Sequence, residues 1–531
     1  MKAIIPISGP VVLALLVLAN LAASTLAQEV SIPDPGLNAA IRSALHIPAA
    51  PLTAQDLLTL TNLDASRRNV KSTVGLEAAH DLVSLNLQIN QVTNFSIPTT
   101  LTNLSVLDLT GNPVIEFSPS SELTNLASLT MEGCGLINLI LPATLINLTN
   151  LDVEFNDLPS FNLPTNLTSL TFLDLGFNLF TNFCLPSGLT NLSTFYFAGN
   201  PLTNVSLPPG LSGMTELNLS QNLLTRFTLP AGMTNLDELD LKFNQLTNVT
   251  LPDDLRSLAN LDLDFNRLTA LNFPANLTNL SFLHLRANQF TNFTLPAGLT
   301  GLRYLDVSDG PLRAISLPVG LNHLSLLRIR GNTNLTSLTL PLGMTNLTGL
   351  NLTGNRLTNV VLPPDLNHLQ TLNLGGNLFT SLSLPAGLTN LTGLFLNVNQ
   401  LTNLTLPPDM THLVSLAFLF NPFTTLVLSE PLAASTNLTL NVGETIASVQ
   451  NRGVAVFTYP LAVQLLRPQP LAGAFQFGIT GPPGVYTIVS TSDFLTWTEL
   501  GSATNTLGLT SFTEDTIHLS ARKFYRARPL R

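Results

Sequence analysis

A repeat of 22 residues constrains the fold of this chain more than any other feature of its sequence. One unit, MTNLDELDLKFNQLTNVTLPDD, begins at Met233, and the next, LRSLANLDLDFNRLTALNFPAN, begins at Leu255. The same frame extends in both directions, with a slip of one residue before Met344, and gives sixteen units between residues 79 and 431. Self-similarity at this period indicates a solenoid, in which each unit forms one coil and neighbouring coils bury a shared core.

The units share the pattern L-x-x-L-x-x-L-x-L-x-x-N-x-L-x-x-L-x-L-P-x-x, whose positions are numbered 1 to 22 below. Alternation at positions 6 to 10 predicts a short strand with positions 7 and 9 inside and positions 6, 8 and 10 outside. In the stretch LDLDFNRLT, Leu261 and Leu263 are therefore expected in the core, and Asp262 and Asp264 in solvent.

Position 12 is asparagine in nearly every unit, and the exceptions are Cys134 and Gly310. A side-chain amide both donates and accepts hydrogen bonds, so a stacked row of amides can satisfy backbone groups where each strand turns away. The second cysteine, Cys184, lies at position 18. Because positions 12 and 18 lie on different edges of a coil, we expect two buried free thiols rather than a disulfide.

The pattern resembles that of the leucine-rich-repeat family, and it is most similar to the 22-residue repeats of secreted bacterial members such as the internalins. The resemblance implies a right-handed solenoid, placed in the α/β class by convention, with a parallel sheet on its concave face. The convex segment, LTNVTLPDD in one copy, is too short and too interrupted by proline for a helix. We expect it to be extended or 3₁₀.

The segments around the repeats complete the predicted organisation. Asp34 before Pro35, and Thr53 three residues before Asp56, are typical of helix starts. A charged start, an apolar stretch and small residues indicate a signal peptide, with an N-terminal membrane anchor as the alternative. The predicted segments are a signal peptide (1–27), a helical N-terminal cap with a first short repeat (28–78), the repeats (79–431), a closing repeat (432–459) and a small β-sandwich or barrel (460–531).

Composition and motifs exclude several classes of function. The net charge is −10 and only 10% of residues are charged, so the chain lacks the basic stripe of a nucleic-acid-binding protein. Beyond the N-terminus no apolar run reaches the length of a membrane span. No G-x-S-x-G, H-E-x-x-H or phosphate-binding loop is present, and no loop is dense in oxygen ligands. We expect no catalytic residues, no metal site and no cofactor.

The outward positions of the middle units carry the candidate site. Neighbouring acids at position 8, such as Asp152 beside Asp174 and Asp240 beside Asp262, would repel each other and need solvent or a counter-charge. Lys242 is expected beside Asp240, and arginines follow in later units, so the face is expected to change from acidic to basic. The predicted ligand-binding residues on the concave face are Asp240, Lys242, Phe243, Asp262, Asp264, Phe265, His284, Arg286, Tyr304, Asp306, Arg328 and Arg330. A solvated scaffold and calcium bridging are the alternatives.

The sequence therefore predicts a secreted or cell-surface binding scaffold without enzymatic activity. Charged and aromatic side chains on one face favour a protein partner. The alternatives are polysaccharide binding, for which rows of Asn, Asp and flat aromatics are also suitable, and a passive envelope or matrix role with attachment through residues 460–531. The oligomeric state is left open.

Overall fold

The computed structural model describes residues 28–93, 95–471, 473–515 and 523–530, and the predicted signal peptide lies outside them. The chain divides into two compact units. The N-terminal unit comprises Met1–Asp262 and Leu271–Leu277, and the C-terminal unit comprises Leu263–Ala270 and Thr278–Arg531.

Two short α-helices, α1 (Pro35–Leu45) and α2 (Ala54–Leu58), and a 3₁₀ helix (Leu76–Ala78) precede the repeats of the N-terminal unit. Asp34 is the N-cap of α1 and Pro35 is its first residue, as predicted. Thr53 and Asp56 form the predicted capping box of α2. The helical N-terminal cap is thereby confirmed.

The N-cap residue Asp34 also anchors a second segment of the cap. Its Oδ1 accepts a hydrogen bond from Leu37 N at 2.9 Å, and its Oδ2 accepts bonds from Lys71 N at 2.7 Å and Ser72 N at 3.2 Å. Burial alone raises the pKa of Asp34, but these backbone donors outweigh it and hold the pKa below its usual value.

Short parallel strands, called the front strands, occur once in each 22-residue repeat, at positions 6 to 8. Each residue pairs with the residue one repeat later, as Asp240 pairs with Asp262. In the N-terminal unit the front strands are Asn62–Asp64, Ser84–Asn86, Val106–Asp108, Ser128–Thr130, Asn150–Asp152, Phe172–Asp174, Thr194–Tyr196, Glu216–Asn218, Glu238–Asp240 and Asn260–Asp262. In the C-terminal unit they are Phe282–His284, Tyr304–Asp306, Leu326–Arg328, Gly349–Asn351, Thr371–Asn373, Gly393–Phe395, Ser415–Ala417 and Thr439–Leu440.

The segments after position 15 form a second set of parallel strands, called the back strands. The prediction of extended structure is confirmed here, but the pairing of these segments between coils was not predicted. In the N-terminal unit the pairs are Glu116–Phe117 with Asn138–Leu139, Asn182–Cys184 with Asn204–Ser206, and Arg226–Thr228 with Asn248–Thr250. In the C-terminal unit they are Asn292–Thr294 with Ala314–Ser316, and Ser337–Thr339 with Asn359–Val361. Thr425–Ser429 pairs with Asn403–Thr405 on one side and with Ala455–Tyr459 on the other.

The interior of each unit is built from the repeat leucines. Leu261 and Leu263 have no exposed surface, as predicted from the alternation of LDLDFNRLT. Side chains at positions 6, 8 and 10 lie on the opposite side of the front strands, which is called the front face below. The leucine-rich-repeat solenoid predicted from the sequence is confirmed.

The position-12 asparagines form the predicted amide ladder. Asn178 is typical: its Nδ2 donates to Val153 O at 2.9 Å and to Leu175 O at 3.2 Å, and its Oδ1 accepts from Leu158 N at 3.0 Å. One side chain thus joins its own coil to the preceding one. Almost all of these asparagines are buried, so the bonds replace water for backbone groups inside the solenoid.

Both cysteines are free, as predicted, but only Cys134 is buried. Its Sγ donates to Leu109 O at 3.2 Å, the bond that an asparagine Nδ2 makes in other coils. A thiol offers no comparable acceptor, and Val114 N donates to Asn112 O instead. The prediction that Cys184 is buried was wrong, because within the back strand Asn182–Cys184 it is Phe183 that faces the core.

The repeats end at two short helices, α3 (Glu430–Ala433) and α4 (Ile446–Asn451), and the strand Ala455–Tyr459. A small all-β module follows. Its first antiparallel sheet contains Gln464–Leu465, Gln469–Leu471, Ala474–Thr480 and Leu509–Asp515, and its second contains Gly484–Thr491, Thr498–Asn505 and Phe524–Pro529. The two sheets share a core that includes Phe477, Ile479, Tyr486, Ile488 and Ala503. Within the described residues, no helix is long and apolar enough to cross a bilayer.

Candidate binding face

Aspartate and asparagine at position 8 end the front strands. Oδ1 of Asp174 accepts a hydrogen bond from Gly176 N at 2.8 Å, Oδ1 of Asp240 from Lys242 N at 3.0 Å, and Oδ1 of Asn218 from Ser220 N at 2.9 Å. The side chain thus satisfies a backbone N–H two residues later. Position 8 therefore has a structural role that the sequence analysis missed.

These acids are less solvated than the alternation predicts. Asp174, Asp240 and Asp306 point to the front face but are only 6%, 6% and 4% exposed. Asp262 is partly covered as well, with 16% of its side chain exposed. The prediction that position 8 is a wet surface was wrong for the three buried aspartates.

Lys242 provides the counter-charge that the paired acids were predicted to need. Its Nζ lies 2.8 Å from Oδ2 of Asp240 and 3.6 Å from Oδ2 of Asp262. Burial raises the pKa of Asp240 while the contacts of Lys242 lower it, and the net pKa lies above the usual value. The lysine thus holds two neighbouring carboxylates together on the front face of the N-terminal unit.

Position 11 has a left-handed backbone in every one of the sixteen 22-residue repeats between residues 79 and 431. Six of these residues are glycines: Gly111, Gly133, Gly199, Gly331, Gly354 and Gly376. Five are phenylalanines: Phe155, Phe177, Phe243, Phe265 and Phe420. The recurrence of glycine at position 11 was a signal for this conformation that was not recognised from the sequence.

The left-handed turn directs several phenyl rings to the surface. Phe155 and Phe177 stack with ring centroids 4.6 Å apart and an interplanar angle of 14°. In the C-terminal unit, the guanidinium carbon of Arg286 lies 5.1 Å from the ring centroid of Phe265. Phe243, Phe155 and Phe420 are each more than two-fifths exposed. The rings therefore form an aromatic margin beside the front strands.

In the C-terminal unit, Tyr304 joins two basic side chains to an acid. The His284 and Tyr304 rings lie 4.7 Å apart, and Arg328 Nη1 donates to the Tyr304 hydroxyl at 3.3 Å. Burial, followed by the charge of Asp306, raises the pKa of Tyr304 to about 12, so the hydroxyl stays protonated and donates to Asp306 Oδ2 at 3.2 Å. These four predicted residues form one cluster.

Asp309, which the sequence analysis did not select, joins two more of the predicted residues. Its Oδ2 lies 2.6 Å from Arg286 Nε and 3.2 Å from Arg330 Nη2. Asp264 is tied to the same region, because its Oδ1 accepts from Arg286 N at 2.6 Å. The predicted residues therefore fall into an N-terminal group (Asp240, Lys242, Phe243 and Asp262) and a C-terminal group (Asp264, Phe265, His284, Arg286, Tyr304, Asp306, Arg328 and Arg330).

The N-terminal unit carries a second acidic region outside the predicted site. Asp152 and Asp174 are direct partners in the sheet, and Glu154 and Glu132 lie nearby at position 10. Burial, followed by the charges of Glu154, Asp152 and Glu132 as well as a lowering bond from Gly176 N, raises the pKa of Asp174 to about 7. Among the described residues, no group of three or more His, Cys, Asp or Glu side chains could hold a metal ion.

Comparisons with known proteins agree with this geometry. Residues 176–292, 267–372 and 330–438 match the BspA type leucine rich repeat region, in six copies. A comparison with curated proteins found no match. The chain is similar to the solved functional domain of InlJ from Listeria monocytogenes, with 20% identity and a TM-score of 0.50 over 86% of this chain and 96% of that chain. It is also similar to YopM from Yersinia enterocolitica WA-314, with 24% identity and a TM-score of 0.56 over 76% of this chain and 89% of that chain.

The repeat pattern, the amide ladder, the paired coils and these matches agree on one assignment. Residues 176–438 carry BspA type leucine-rich repeats, and the fold of the chain is a leucine-rich-repeat solenoid like those of the solved InlJ domain and YopM.

Proposed function

We propose that the chain is a non-enzymatic extracellular scaffold that binds a protein partner on its front face. The observation that carries the proposal is the cluster of His284, Tyr304 and Arg328 on the front strands of the C-terminal unit. Tyrosine and arginine are the residues that most often dominate protein interfaces. Here their contacts hold them in one arrangement before any partner arrives, so binding would cost little side-chain entropy.

The lining of a cleft in the C-terminal unit gives no support to a catalytic role at that place. One cleft of the C-terminal unit, about 550 Å³, lies between the last back strands and the β module and is lined by Asn403, Thr425, Pro483, Thr504 and their neighbours. Its lining holds no titratable side chain that could act as an acid, base or nucleophile.

The proposal is tested by reversing charge on the front face. The variant carries Arg328→Glu and Arg330→Glu together, and the matched control carries Arg313→Glu, an exposed arginine at position 15 and away from positions 6, 8 and 10. Wild type and Arg313→Glu should capture the same proteins from a solubilised surface proteome, and the double variant should lose them. Equal capture by all three chains, with circular dichroism unchanged, would contradict the proposal.

Glycan binding is the second candidate, and the exposed phenyl margin is what favours it. Phe243 and Phe265 present 46% and 36% of their surface beside the front strands, and flat aromatic faces suit sugar rings. A glycan array probed with wild type and with a Phe243→Leu, Phe265→Leu variant separates the candidates. Signals that vanish in the variant would favour a polysaccharide, and an array without signals, together with protein capture, would favour a protein.

The extracellular location is part of the proposal and has its own test. The resemblance to secreted bacterial proteins and the signal-peptide pattern of residues 1–27 support it. Expression in a bacterial host with an epitope tag at the C-terminus should give protein of the mature size in the medium or on the cell surface. Retention of the full-length precursor inside the cell would contradict this part.

A further inference from the structure

Three buried aspartates at position 8 differ in one respect. Asp174, Asp240 and Asp306 are buried to the same degree, and Oδ1 of each accepts a bond from the backbone N–H two residues later, at 2.8, 3.0 and 3.0 Å respectively. Oδ2 of Asp240 is paired with Lys242 Nζ at 2.8 Å, and Oδ2 of Asp306 accepts from the Tyr304 hydroxyl at 3.2 Å. Within the part of the chain that the structure describes, nothing donates to Oδ2 of Asp174.

The residue that would cover Asp174 is a glycine. Position 10 is Lys242 in the repeat that contains Asp240, and it is Gly176 in the repeat that contains Asp174. A Cβ atom on Gly176 would lie 3.0 Å from Asp174 Oδ1 and 3.4 Å from Glu154 Oε1. The backbone of Gly176 is not left-handed, so its conformation does not require glycine. The glycine places no side chain of its own over Asp174, and the side chain of Glu154 lies against the position that a Cβ atom would take.

The surroundings of Gly176 are acidic and aromatic. Asp152 lies beside Asp174 on the neighbouring strand, and the side chain of Glu154 lies close to Gly176. The stacked pair Phe155–Phe177 lies on one side of the strand at position 11, and Phe172 at position 6 packs edge-on against Tyr196, with centroids 5.8 Å apart. An acidic floor between aromatic rings suits a cation carried on an alkyl chain, which gains both a charge pair and contact with the rings.

We propose that Asp174, with Asp152 and Glu154, binds a lysine or arginine side chain of a partner protein at the place that Lys242 fills beside Asp240. The assignment rests on the proposed function, because the partner must lie on the front face. A protein side chain fits better than a metal ion, since the described residues provide no group of metal-ligating side chains. The cation would pair with Oδ2 of Asp174, which is the one of these three aspartates whose Oδ2 lacks a partner among the described residues.

Hexalysine labelled with a fluorophore is the probe for the test, and the full chain is used throughout. Asp174→Asn removes the charge and keeps the acceptor for Gly176 N, as Asn218 does for Ser220 N at the same position. This variant should weaken hexalysine binding by roughly tenfold or more, because a buried carboxylate is lost from the contact. The matched control, Asp253→Asn, removes the same charge from an exposed aspartate at position 21, away from positions 6, 8 and 10, and should weaken binding by less than about twofold. Equal weakening by both variants, or none by Asp174→Asn, would overturn the proposal.

A second variant supplies the cation from within the chain. Gly176→Lys should place an ammonium over Asp174 and so abolish most hexalysine binding, while circular dichroism reports whether the fold is kept. The carboxyl carbon of Asp174, followed by NMR, should then titrate at lower pH than in wild type. An unchanged titration together with unchanged peptide binding would count against the site. Displacement of hexalysine by calcium chloride but not by sodium chloride of equal ionic strength would indicate a metal site and overturn the proposal.

The two proposals can fail separately. If the Arg328→Glu, Arg330→Glu variant loses protein capture while Asp174→Asn leaves the affinity for hexalysine unchanged, this inference is wrong and the proposed function stands. If Asp174→Asn weakens hexalysine binding while no change on the front face alters protein capture, the proposed function is wrong instead.

Discussion

At the scale of single residues, position 11 determines how the chain leaves each front strand. A left-handed backbone costs an ordinary residue about 1 kcal/mol or more, because Cβ approaches the following carbonyl oxygen. Glycine avoids this cost, and the chain uses glycine in some coils but phenylalanine in others. Phenylalanine at this position is therefore conformationally unfavourable, and the exposed ring has to be explained by something other than the stability of the coil.

Phe420 gives the simplest test of this cost, because its φ is 59° and the residue is 79% exposed. Phe420→Gly should raise the free energy of unfolding by about 0.5 to 1 kcal/mol, since the relief of strain exceeds the entropy that glycine adds to the unfolded chain. Phe420→Ala is the control, because it removes the ring but keeps Cβ. Urea unfolding should rank glycine above alanine, and the reverse order would refute the explanation.

The amide ladder makes the opposite prediction for position 12. Asn178→Ala removes one acceptor and one donor group that satisfy backbone atoms of two coils, and leaves those atoms buried without partners. The free energy of unfolding should fall by about 2 to 4 kcal/mol. Asn182→Ala, at an exposed asparagine of a back strand, should change it by less than about 0.5 kcal/mol. Similar losses for the two variants would mean that the ladder contributes little.

Asp174 makes stability depend on pH. Its folded pKa of about 7 lies above the ordinary value of 3.8, so the ionised form is disfavoured in the folded chain. Its stabilising contribution is full below the ordinary value and is lost as the pH rises toward 7. The titratable groups around it are Asp152, Glu154 and Glu132 on one side and Tyr196 on the other.

Asp174→Asn should therefore raise the free energy of unfolding by on the order of 3 kcal/mol at pH 8 and by much less at pH 4. Urea unfolding of wild type and variant across this range measures the difference. A difference that is independent of pH would show that Asp174 is already ionised without cost.

At the scale of elements, the sequence predicts the features that recur in every repeat and misses those that depend on differences between neighbouring repeats. The leucine alternation predicts the front strands, and the position-12 asparagines predict the amide ladder, because both patterns are the same in nearly every repeat. The back-strand pairs and the burial of Asp174 depend on how neighbouring side chains differ, as Gly176 differs from Lys242. The exposure of Cys184 was missed because the alternation of the back strand was not considered.

The cap before the first repeat depends on one side chain in the same way that each coil depends on its asparagine. Asp34→Ala removes the N-cap of α1 and two further bonds, to Lys71 N and Ser72 N. The free energy of unfolding should fall by about 2 to 3 kcal/mol at pH 7. Because the pKa of Asp34 is lowered in the folded chain, the difference should shrink as the pH falls below about 4.

Asp56→Ala provides a comparison for this prediction, because Asp56 caps the shorter helix α2 through local bonds only. It should cost about 1 kcal/mol. If both variants cost the same at pH 7, the contacts of Asp34 with Lys71 and Ser72 do not stabilise the cap.

At the scale of the whole molecule, the front face differs between the two units. In the N-terminal unit, acids dominate positions 6, 8 and 10, and Lys242 is the one basic residue at these positions from Asp108 to Asp262. In the C-terminal unit, Arg286, Arg328 and Arg330 lie at the same positions. If a partner binds the front face as proposed, the charge of its contacting surface should be opposite to that of the unit that it contacts.

The last prediction concerns the β module. Tyr459 ends the last back strand and donates its hydroxyl hydrogen to Leu406 O at 2.6 Å, so the repeats are closed before the module begins. A chain that ends after residue 460 should keep a cooperative unfolding transition and bind hexalysine as tightly as the full chain. If the module attaches the protein to the envelope, the shortened chain should move from the cell fraction to the medium. Aggregation of the shortened chain would show that the module protects the end of the repeats, and unchanged retention on cells would show that attachment lies elsewhere.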